Sequence, residues 1–414
     1  MAALTMSAFD NILKEFYLPL FEEQFNRQTV LMDEVILKRD SEHVEGKNAF
    51  IAVEWETLGG TDSISEEGTL PTPEPGDYNR LQIGMKYHYA RFRITGPVID
   101  ASASDPGAFA PALQREMKSK ITSFLRHANR MMFGDSSGAL ARIDDASPDT
   151  TLGVDAAYGI ANDDNGTLFL TPNMNLTFAS AKTSGTNRGT ARVTAVNKST
   201  DIITVNADPG VSNNDFIFRE NSSDDGTGTT KEMMGLLGII DTTDFVTTLQ
   251  NINGSTETRW QAQHRTGSTA GTNEALTLLR MQLLWDDVTF SGGGQPKFIL
   301  CNQRTALTYA MMAKRENITT NKMSLDGGWS GLDFNGQAPV IADVMCPPNR
   351  MFYVTPETLR LYEMARPQWL DRGTGVLKQV GDTDVFQATY YWYSELGVSN
   401  RGKNGVLEDI TELS

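Results

Sequence analysis

Four histidines and two cysteines carry the most specific chemistry in this chain, and their positions argue against a metal site. His43, His88, His127 and His264 lie in four unrelated stretches, and the chain has no HExxH motif and no Cys/His cluster. A protein zinc site needs three or four such ligands, usually at short and regular spacings. The sequence therefore predicts no metal ligand and no bound cofactor.

Motifs for nucleophilic catalysis or phosphate binding are absent as well. The chain has no GxSxG elbow, no Walker loop and no strand–GxGxxG–helix unit. The glycine-rich stretches "SGGGQP" (291–296) and "DGGWSG" (326–331) lack a following Lys-Ser/Thr pair, so we interpret both as loops. The "NDDNG" stretch (162–166) lacks the alternating acids of a calcium loop and is typical of a turn. We expect no catalytic residue and no enzyme.

Composition places the chain among ordinary globular proteins. It has 414 residues, 39% of them hydrophobic, and no apolar run approaches the 18 residues of a membrane helix. Its first 25 residues lack the basic start and apolar block of a signal peptide, and two cysteines in so long a chain fit a reducing compartment. A formal charge of −16 argues against binding nucleic acid along the whole sequence.

The elements that would position functional side chains begin with an unusual strand pattern. Apolar residues alternate from Leu81 to Tyr89, slip by one position after Ala90, and continue through Phe92 and Ile94. One strand from Leu81 to Ile94 would extend roughly 46 Å. It pairs in this interpretation with "AFIAVEWETL" (49–58), and the two strands enclose a Gly-, Pro- and acid-rich tip. The pattern predicts a long projecting β-hairpin, or alternatively two core strands joined by a surface loop.

Later segments indicate a mixed α and β fold. A helix is predicted from Pro106 to Phe133, with an apolar residue about every fourth position and a basic opposite face. That basic face comprises Arg115, Lys118, Lys120, Arg126 and Arg130. Residues 145–225 predict an all-β insertion, 273–288 a leucine-bearing helix, and "DVFQATYYWYSEL" (384–396) a central strand with apolar side chains on both faces.

In this order, the segments resemble one protein family. The stretch "EEGTLPTPEPGDYNRLQIGMKYHYARFRITGPVIDAS" (66–102) resembles an extension loop with its G-x-LP element, and the helix that follows resembles a long spine helix. "FNGQAPVIADVMCPPNRMFYVTPETLRLYE" (334–363) and "WYSELGVSNRGKNGVLEDI" (392–410) are similar to the last parts of the same proteins. These are the major capsid proteins of tailed bacteriophages with the Hong Kong 97-type fold.

The resemblance implies an α+β, Hong Kong 97-type capsid fold with an N-terminal arm, an extension-loop β-hairpin, a spine helix, a P-domain, an A-domain and the all-β insertion. The implied divisions are the N-terminal arm (1–45), the extension loop and start of the P-domain (46–100), the spine helix (101–144), the insertion (145–225), the A-domain (226–355) and the return to the P-domain with a C-terminal strand (356–414).

The resemblance also implies the function and the partners. The chain would self-assemble into hexamers and pentamers of an icosahedral head shell around packaged double-stranded DNA, without sequence-specific DNA binding and without a membrane. A portal protein, a separate scaffolding protein and a decoration protein are further expected partners, and synthesis would take place in the host bacterial cytoplasm. No trio of Lys, Asn and Glu matches the crosslinking pattern of some members, so non-covalent assembly is expected.

In such a shell the extension loop lies across a neighbouring subunit, which suggests a role for the charge pattern. Between Lys47 and Arg80 the chain carries seven acids and no Lys or Arg. The acidic tip could rest on a basic patch of the adjacent subunit, or it could simply keep the loop soluble. The candidate contact residues are Glu66, Glu67, Leu70, Pro71, Glu74, Arg91 and Arg93.

Two alternatives remain open at this point. An encapsulin-type protein cage would have the same fold and would enclose enzymes instead of a genome. A monomeric hydrolase or carbohydrate-binding protein built on the β insertion would instead show a pocket of convergent acids and aromatic residues.

Overall fold

The computed structural model of the protein describes most of the chain. The described residues are 31, 42–55, 63–70, 72, 77–103, 112–144, 150–160, 165–224, 228–267, 269, 271–315, 322–324, 330–334, 336–373 and 375–412. The predicted N-terminal arm (1–45) falls almost entirely outside these ranges. No helix within them is long and apolar enough to span a membrane.

The described residues form one long helix, four shorter helices and many strands. The helices are α1 (Gly96–Ala103), α2 (Ala112–Phe133), α3 (Leu236–Ile239), α4 (Leu278–Asp286) and α5 (Gln303–Arg315). The strands are β1 (Glu42–His43), β2 (Asn48–Trp55), β3 (Asp77–Gly84), β4 (Lys86–Thr95), β5 (Ala139–Ile143), β6 (Thr151–Asp155), β7 (Asn175–Ala179), β8 (Asn187–Asn197), β9 (Ile202–Val205), β10 (Phe216–Arg219), β11 (Thr248–Leu249), β12 (Ile252–Asn253), β13 (Gln263–Arg265), β14 (Phe298–Cys301), β15 (Lys322–Ser324), β16 (Ser330–Phe334), β17 (Ala338–Ala342), β18 (Met351–Val354), β19 (Leu359–Trp369), β20 (Lys378–Gln379), β21 (Val385–Val398) and β22 (Gly405–Leu407).

Strand β21 is the centre of the first sheet, as the sequence predicts. It pairs antiparallel with β19 on one side and with β4 along most of its length on the other. Strands β1 and β20 extend this sheet at its edges. The buried residues of β21 alternate through Ala388, Tyr390 and Trp392, so these side chains form one covered face.

Helix α2 covers that face. Its apolar stripe is buried as predicted, including Met117, Ile121 and Leu125. Phe124 packs edge-on against Tyr390, with ring centroids 5.3 Å apart. The helix ends where predicted, because Gly134 follows Phe133 and donates its N–H to the Met131 carbonyl at 3.0 Å. The predicted start at Pro106 lies outside the described residues.

The predicted basic face of this helix is wrong at one position. Arg126 is exposed, whereas Arg130 is only 3% exposed and forms an ion pair with Glu232. Helical periodicity alone places Arg130 on the outer face, but a segment more than a hundred residues later covers that end of the helix. Arg130 therefore belongs to the interior of the molecule.

The predicted 46 Å strand is also wrong, because the run divides into two strands that join different sheets. Strand β3 pairs with β2, and β4 pairs with β21; Met85 lies between them outside both strands. The side-chain phase changes here and not after Ala90, so that Tyr87 and Tyr89 are exposed while His88 is buried. Eight residues per strand give the β2–β3 hairpin a paired length of roughly 26 Å.

The segment that the sequence analysis treats as an all-β insertion forms a closed barrel. Its strand order is β10-β5-β6-β9-β8-β7, and the core includes Phe178, Val193 and Ile217. The barrel also contains β5, which precedes residue 145 and lies in the range that the resemblance assigns to the spine helix (101–144). Closure explains this difference, since β5 bonds to β10 on one side and to β6 on the other.

A second, seven-stranded sheet carries helices α4 and α5. Its order is β13-β22-β18-β14-β17-β16-β15. Strand β22 (Gly405–Leu407) lies between β13 and β18 and therefore belongs to this sheet. Helix α4 starts at Leu278, five residues after its predicted start, where the Thr277 side chain accepts a hydrogen bond from the Arg280 N–H.

The α2 stripe leads to a stability prediction. Replacing the buried Ile121 with Ala should lower the free energy of unfolding of the unassembled subunit by about 2–5 kcal/mol, because it leaves a cavity under the central sheet. Urea unfolding followed by circular dichroism measures this change. The exposed Arg126→Ala variant is the matched control and should stay within about 0.5 kcal/mol of the parent. Equal stabilities for the two variants would contradict the assigned core face.

Candidate assembly interface

The described part of the hairpin tip is short and solvent-facing. Residues 63–70 contain a turn in which the Gly68 N–H donates to the Ser65 carbonyl at 2.9 Å. Glu66 and Glu67 are exposed on this turn, and Leu70 is 78% exposed. One small loop thus exposes the apolar side chain of Leu70 and the carboxylates of Glu66 and Glu67 to solvent.

The root of the hairpin, in contrast, is packed on the protein body. Ile83 and Met85 form a buried cluster with Val44 and Tyr362. The Gln82 N–H donates to the Gln250 carbonyl at 3.0 Å, which joins β3 to a turn between β11 and β12. The fixed root therefore sets the direction in which the tip extends.

The uncovered face of the central sheet carries tyrosines and arginines. Tyr87 and Tyr89 on β4 lie in register with Tyr393 and Tyr391 on β21. The Tyr89 and Tyr393 hydroxyls lie 2.9 Å apart, and partial burial, followed by this hydrogen bond, raises the pKa of Tyr89 to about 12. The Tyr89 hydroxyl is therefore neutral at physiological pH and can donate a hydrogen bond.

Arg91 and Arg93 continue this face along β4. They lie opposite Thr389 and Gln387 of β21, and both are exposed. Guanidinium groups beside phenol hydroxyls form a surface suited to carboxylates. We call this surface, made of Tyr87, Tyr89, Arg91, Arg93, Tyr391 and Tyr393, the tyrosine–arginine face.

Five of the seven predicted contact residues can be placed. Glu66, Glu67 and Leu70 lie on the hairpin tip, and Arg91 and Arg93 lie on the separate central sheet. Among the described residues, no ion pair joins the two acids to the two arginines. Pro71 and Glu74 lie outside the described residues.

Sequence reasoning missed the tyrosines as surface residues. The run "ATYYWYS" was interpreted as apolar on both faces, but its tyrosines alternate between a buried face and a half-exposed one. Residue type alone could have indicated this, because tyrosine carries a polar hydroxyl and is common at positions where the ring is buried and the hydroxyl reaches solvent.

A buried polar junction joins the central sheet and helix α2 to the segment that follows the barrel. This segment comprises residues 230–234, and side chains from α2, β4 and β21 bond to it. Arg130 of α2 pairs with Glu232, Lys86 of β4 donates to the Thr230 carbonyl, and Glu395 of β21 accepts the Met234 N–H at 2.6 Å. The junction fixes how the base of β4 meets helix α2.

Burial shifts the titration of two groups at this junction. Burial raises the pKa of Glu395 to about 7, although nearby Lys86 and the N–H groups of Met234 and Leu396 oppose the shift. Burial, and then the charge of Lys86, lowers the pKa of His88 to about 4. Both side chains therefore favour their neutral forms in the folded protein.

The raised pKa of Glu395 predicts a pH-dependent stability difference. The Glu395 carboxyl keeps its proton up to about pH 7 in the folded protein, whereas in the unfolded chain it loses this proton near pH 4.5. The contribution of Glu395 to the free energy of unfolding is therefore fully present below pH 4.5 and is lost as the pH rises to 7. Glu395→Gln should gain stability over the parent by up to about 3 kcal/mol between pH 5 and pH 8.

Urea unfolding at several pH values tests this prediction. His88 contributes to the pH dependence with the opposite sign. This contribution is common to variant and parent, so it cancels in the difference between their free energies of unfolding. Glu116→Gln, an exposed change on α2, is the control and should follow the parent at every pH. If the free energy of unfolding of Glu395→Gln and of the parent changed with pH in parallel, Glu395 would not be buried in its neutral form.

Comparison with known proteins gives a family and a fold. The family model of the SU10 major capsid protein matches residues 212–411. A comparison with curated proteins gives no match. Among solved structures, the cyanophage A-1(L) capsid asymmetric unit aligns with 93% of this chain and 93% of its own, at 15% identity and a TM-score of 0.56.

Two further solved structures align at lower similarity. The holo-SrpI encapsulin complex from Synechococcus elongatus PCC 7942 has a TM-score of 0.46 and 10% identity, with 91% of this chain and 89% of that chain covered. Mycobacterium phage Bobi has a TM-score of 0.45 and 10% identity, with 92% and 90% covered.

The cyanophage match confirms the predicted fold, and the family match covers the barrel's last strand, the second sheet and the central strand β21. The family match and the fold both point to a structural protein and not to a catalytic one. Taken together, the SU10 major capsid protein match over residues 212–411, just under half of the chain, and the Hong Kong 97-type fold of the whole chain support a subunit of a phage head shell.

Proposed function

We propose that the chain assembles with copies of itself into hexamers and pentamers, which close an icosahedral shell around the packaged double-stranded DNA of a tailed bacteriophage. The observation that carries this proposal is the hairpin, whose root is packed while its tip presents Leu70, Glu66 and Glu67 to solvent. An exposed hairpin edge is an aggregation hazard for a free monomer, and a permanent neighbour removes that hazard.

The tyrosine–arginine face is the proposed receptor for this tip. The tip of one subunit would place Glu66 and Glu67 on Arg91 and Arg93 of the next subunit, with the tyrosine hydroxyls as further donors. Leu70 and Pro71 would cover apolar ring surface, and Glu74 would extend the acidic contact. Each exposed ion pair contributes at most about 1 kcal/mol, but the contact repeats around every capsomer.

Other partners follow from the proposed role. We propose a separate scaffolding protein, a portal protein and a decoration protein, for which the barrel is the candidate docking domain. The formal charge of −16 fits a shell that encloses DNA without reading its sequence. Synthesis would take place in the host bacterial cytoplasm.

The domain division is proposed with two changes from its sequence-based form. The barrel would begin at Ala139, and Gly405–Leu407 would join the A-domain, whose sheet contains β22. The remaining divisions keep their predicted boundaries: the arm at 1–45, the extension loop at 46–100 and the return to the P-domain from residue 356.

Electron microscopy of the purified full-length protein tests the proposed function. Closed shells or ring-shaped capsomers are expected. A monomer at every concentration would overturn the proposal. The contents of particles isolated from cells separate the two shell classes, because a phage head contains double-stranded DNA and an encapsulin-type cage contains enzymes.

Shortening the hairpin tip should block assembly without unfolding the subunit. Replacing residues 59–75 with Asn-Gly, a turn that suits a two-residue hairpin, removes side chains that are exposed wherever they are described. The subunit should stay soluble with an unchanged Tm in calorimetry, while microscopy shows no shells. Normal shells from the shortened protein would rule out a role for the tip in assembly.

Reversing the tip charges should impair assembly most strongly at low salt. In Glu66→Lys/Glu67→Lys the cations would face Arg91 and Arg93 of the neighbour, and salt screens such repulsion over about 8 Å at physiological ionic strength. Light scattering at low and high salt measures the assembly rate. Adding Arg91→Glu or Arg93→Glu should partly restore it.

The control has the same change in charge at another place. Asp208→Lys/Glu220→Lys reverses two exposed acids of the barrel and should assemble like the parent. If the hairpin and barrel reversals behave alike at every salt concentration, the acidic tip serves solubility alone.

A further inference from the structure

Phe290 is the most exposed large hydrophobic side chain among the described residues, with 85% of its surface accessible. It lies in the π-helical turn Asp287–Ser291 that continues helix α4. Apolar residues Leu279 and Leu283 are also exposed on α4, so an apolar stripe leads along the helix towards Phe290. Burial of such an exposed apolar side chain against another surface removes apolar area from water, which lowers the free energy.

The backbone that presents Phe290 is tightly held. Val288 is buried, and the Gly294 N–H donates to the Val288 carbonyl at 2.8 Å. A Cβ at Gly292 would lie 2.0 Å from the Gly402 carbonyl oxygen, so only glycine permits this close approach of two backbones. The aromatic ring therefore projects from a rigid turn, which lowers the entropy lost when it binds.

An open, mostly apolar cleft of about 600 Å³ lies at the other end of α4. Its lining comes from the segment before α4, from α5 and from the C-terminal residues: Ala275, Leu276, Thr308, Met311, Met312, Lys314, Arg315, Thr411 and Glu412. Methionine side chains adapt to an inserted aromatic ring and make favourable sulfur–aromatic contacts. The cleft has the chemistry of a receptor for one large apolar side chain.

Phe290 cannot reach the cleft of its own subunit. At 1.5 Å per residue, about 20 Å of helix separates Leu276 from Phe290. A knob at one end of a helix and a cleft at the other end are two different surfaces, so they can meet only between two copies. Such a head-to-tail contact is heterologous, and it generates a ring when the rotation closes.

The charges around the two surfaces are complementary. Asp286 and Asp287 lie one turn before Phe290, and Asp287 already pairs with Arg265. Lys314 and Arg315, both exposed, lie on the cleft lining at the last turn of α5. The acidic end of α4 in one copy therefore suits the basic end of α5 in the next.

From the cleft, the projecting ring and the charges, we propose that Phe290 of one subunit inserts into the Ala275–Met311–Arg315 cleft of the next subunit and so joins copies into the capsomer ring. This inference rests on the proposed function and names the contact that sets the direction of the ring. It is independent of the hairpin, which lies on other elements.

Native mass spectrometry of the full-length protein over a concentration series tests the contact. Phe290→Ala should raise the concentration needed for capsomers by about tenfold or more, as expected for a buried aromatic hot spot. Ala275→Trp, which fills the cleft from an exposed position, should do the same. Phe290→Leu keeps an apolar side chain and should stay close to the parent, as should the exposed control Val98→Ala.

Mixing the two defective variants gives the decisive result. The Ala275→Trp subunit keeps its Phe290, and the Phe290→Ala subunit keeps an open cleft, so the mixture should form one-to-one pairs that neither variant forms alone. Phe290→Ala assembling at the parent's concentration would overturn the inference, and so would a mixture without pairs. If one of these results is found while the parent still forms shells, the inference fails and the proposed function stands. A parent that never associates overturns the inference and the proposed function together.

Discussion

The contact between helix α2 and strand β21 is the interaction on which the rest of the structure depends. Phe124 packs against Tyr390 and Trp392 from one side, and β21 pairs with β19 and β4 as its two neighbours. The helix protects only that side. The hydroxyls and guanidinium groups of the tyrosine–arginine face stay on the other side, available to a second molecule.

Buried polar groups set how the remaining parts meet this centre. Arg130 and Glu232 join α2 to the segment after the barrel, and Arg401 donates to the carbonyls of Ile239 and Asp241 beside the short helix α3. A buried ion pair adds little net stability, but removing one partner is costly because the other charge stays buried. These groups therefore fix orientation more than they add free energy, which suits a subunit whose surfaces must match its neighbours.

The sequence predicted what depends on local periodicity and missed what depends on distant pairing. The stripe through Met117 and Ile121 and the central place of β21 follow from spacing and composition, and both are confirmed. The phase change at Met85 arises because β3 and β4 pair with different partners, and no local pattern encodes that choice. Arg130 was misplaced for a similar reason, since its partner Glu232 lies 102 residues away. Among surface residues, Glu66, Leu70 and Arg91 are exposed, as a contact role requires, whereas Phe290 lies just beyond the predicted helix (273–288) and no sequence pattern indicates its exposure.

If copies of the subunit build a shell, surfaces that are exposed in the free subunit must be covered in the particle. Hydrogen exchange, compared between the free subunit and the purified particle, tests this claim most directly. We expect amide protection to appear on assembly in residues 63–70 and in the turn 287–294, while the interior of α2 is protected in both states because it is already buried. Unchanged exchange of both exposed segments in intact particles would contradict the account.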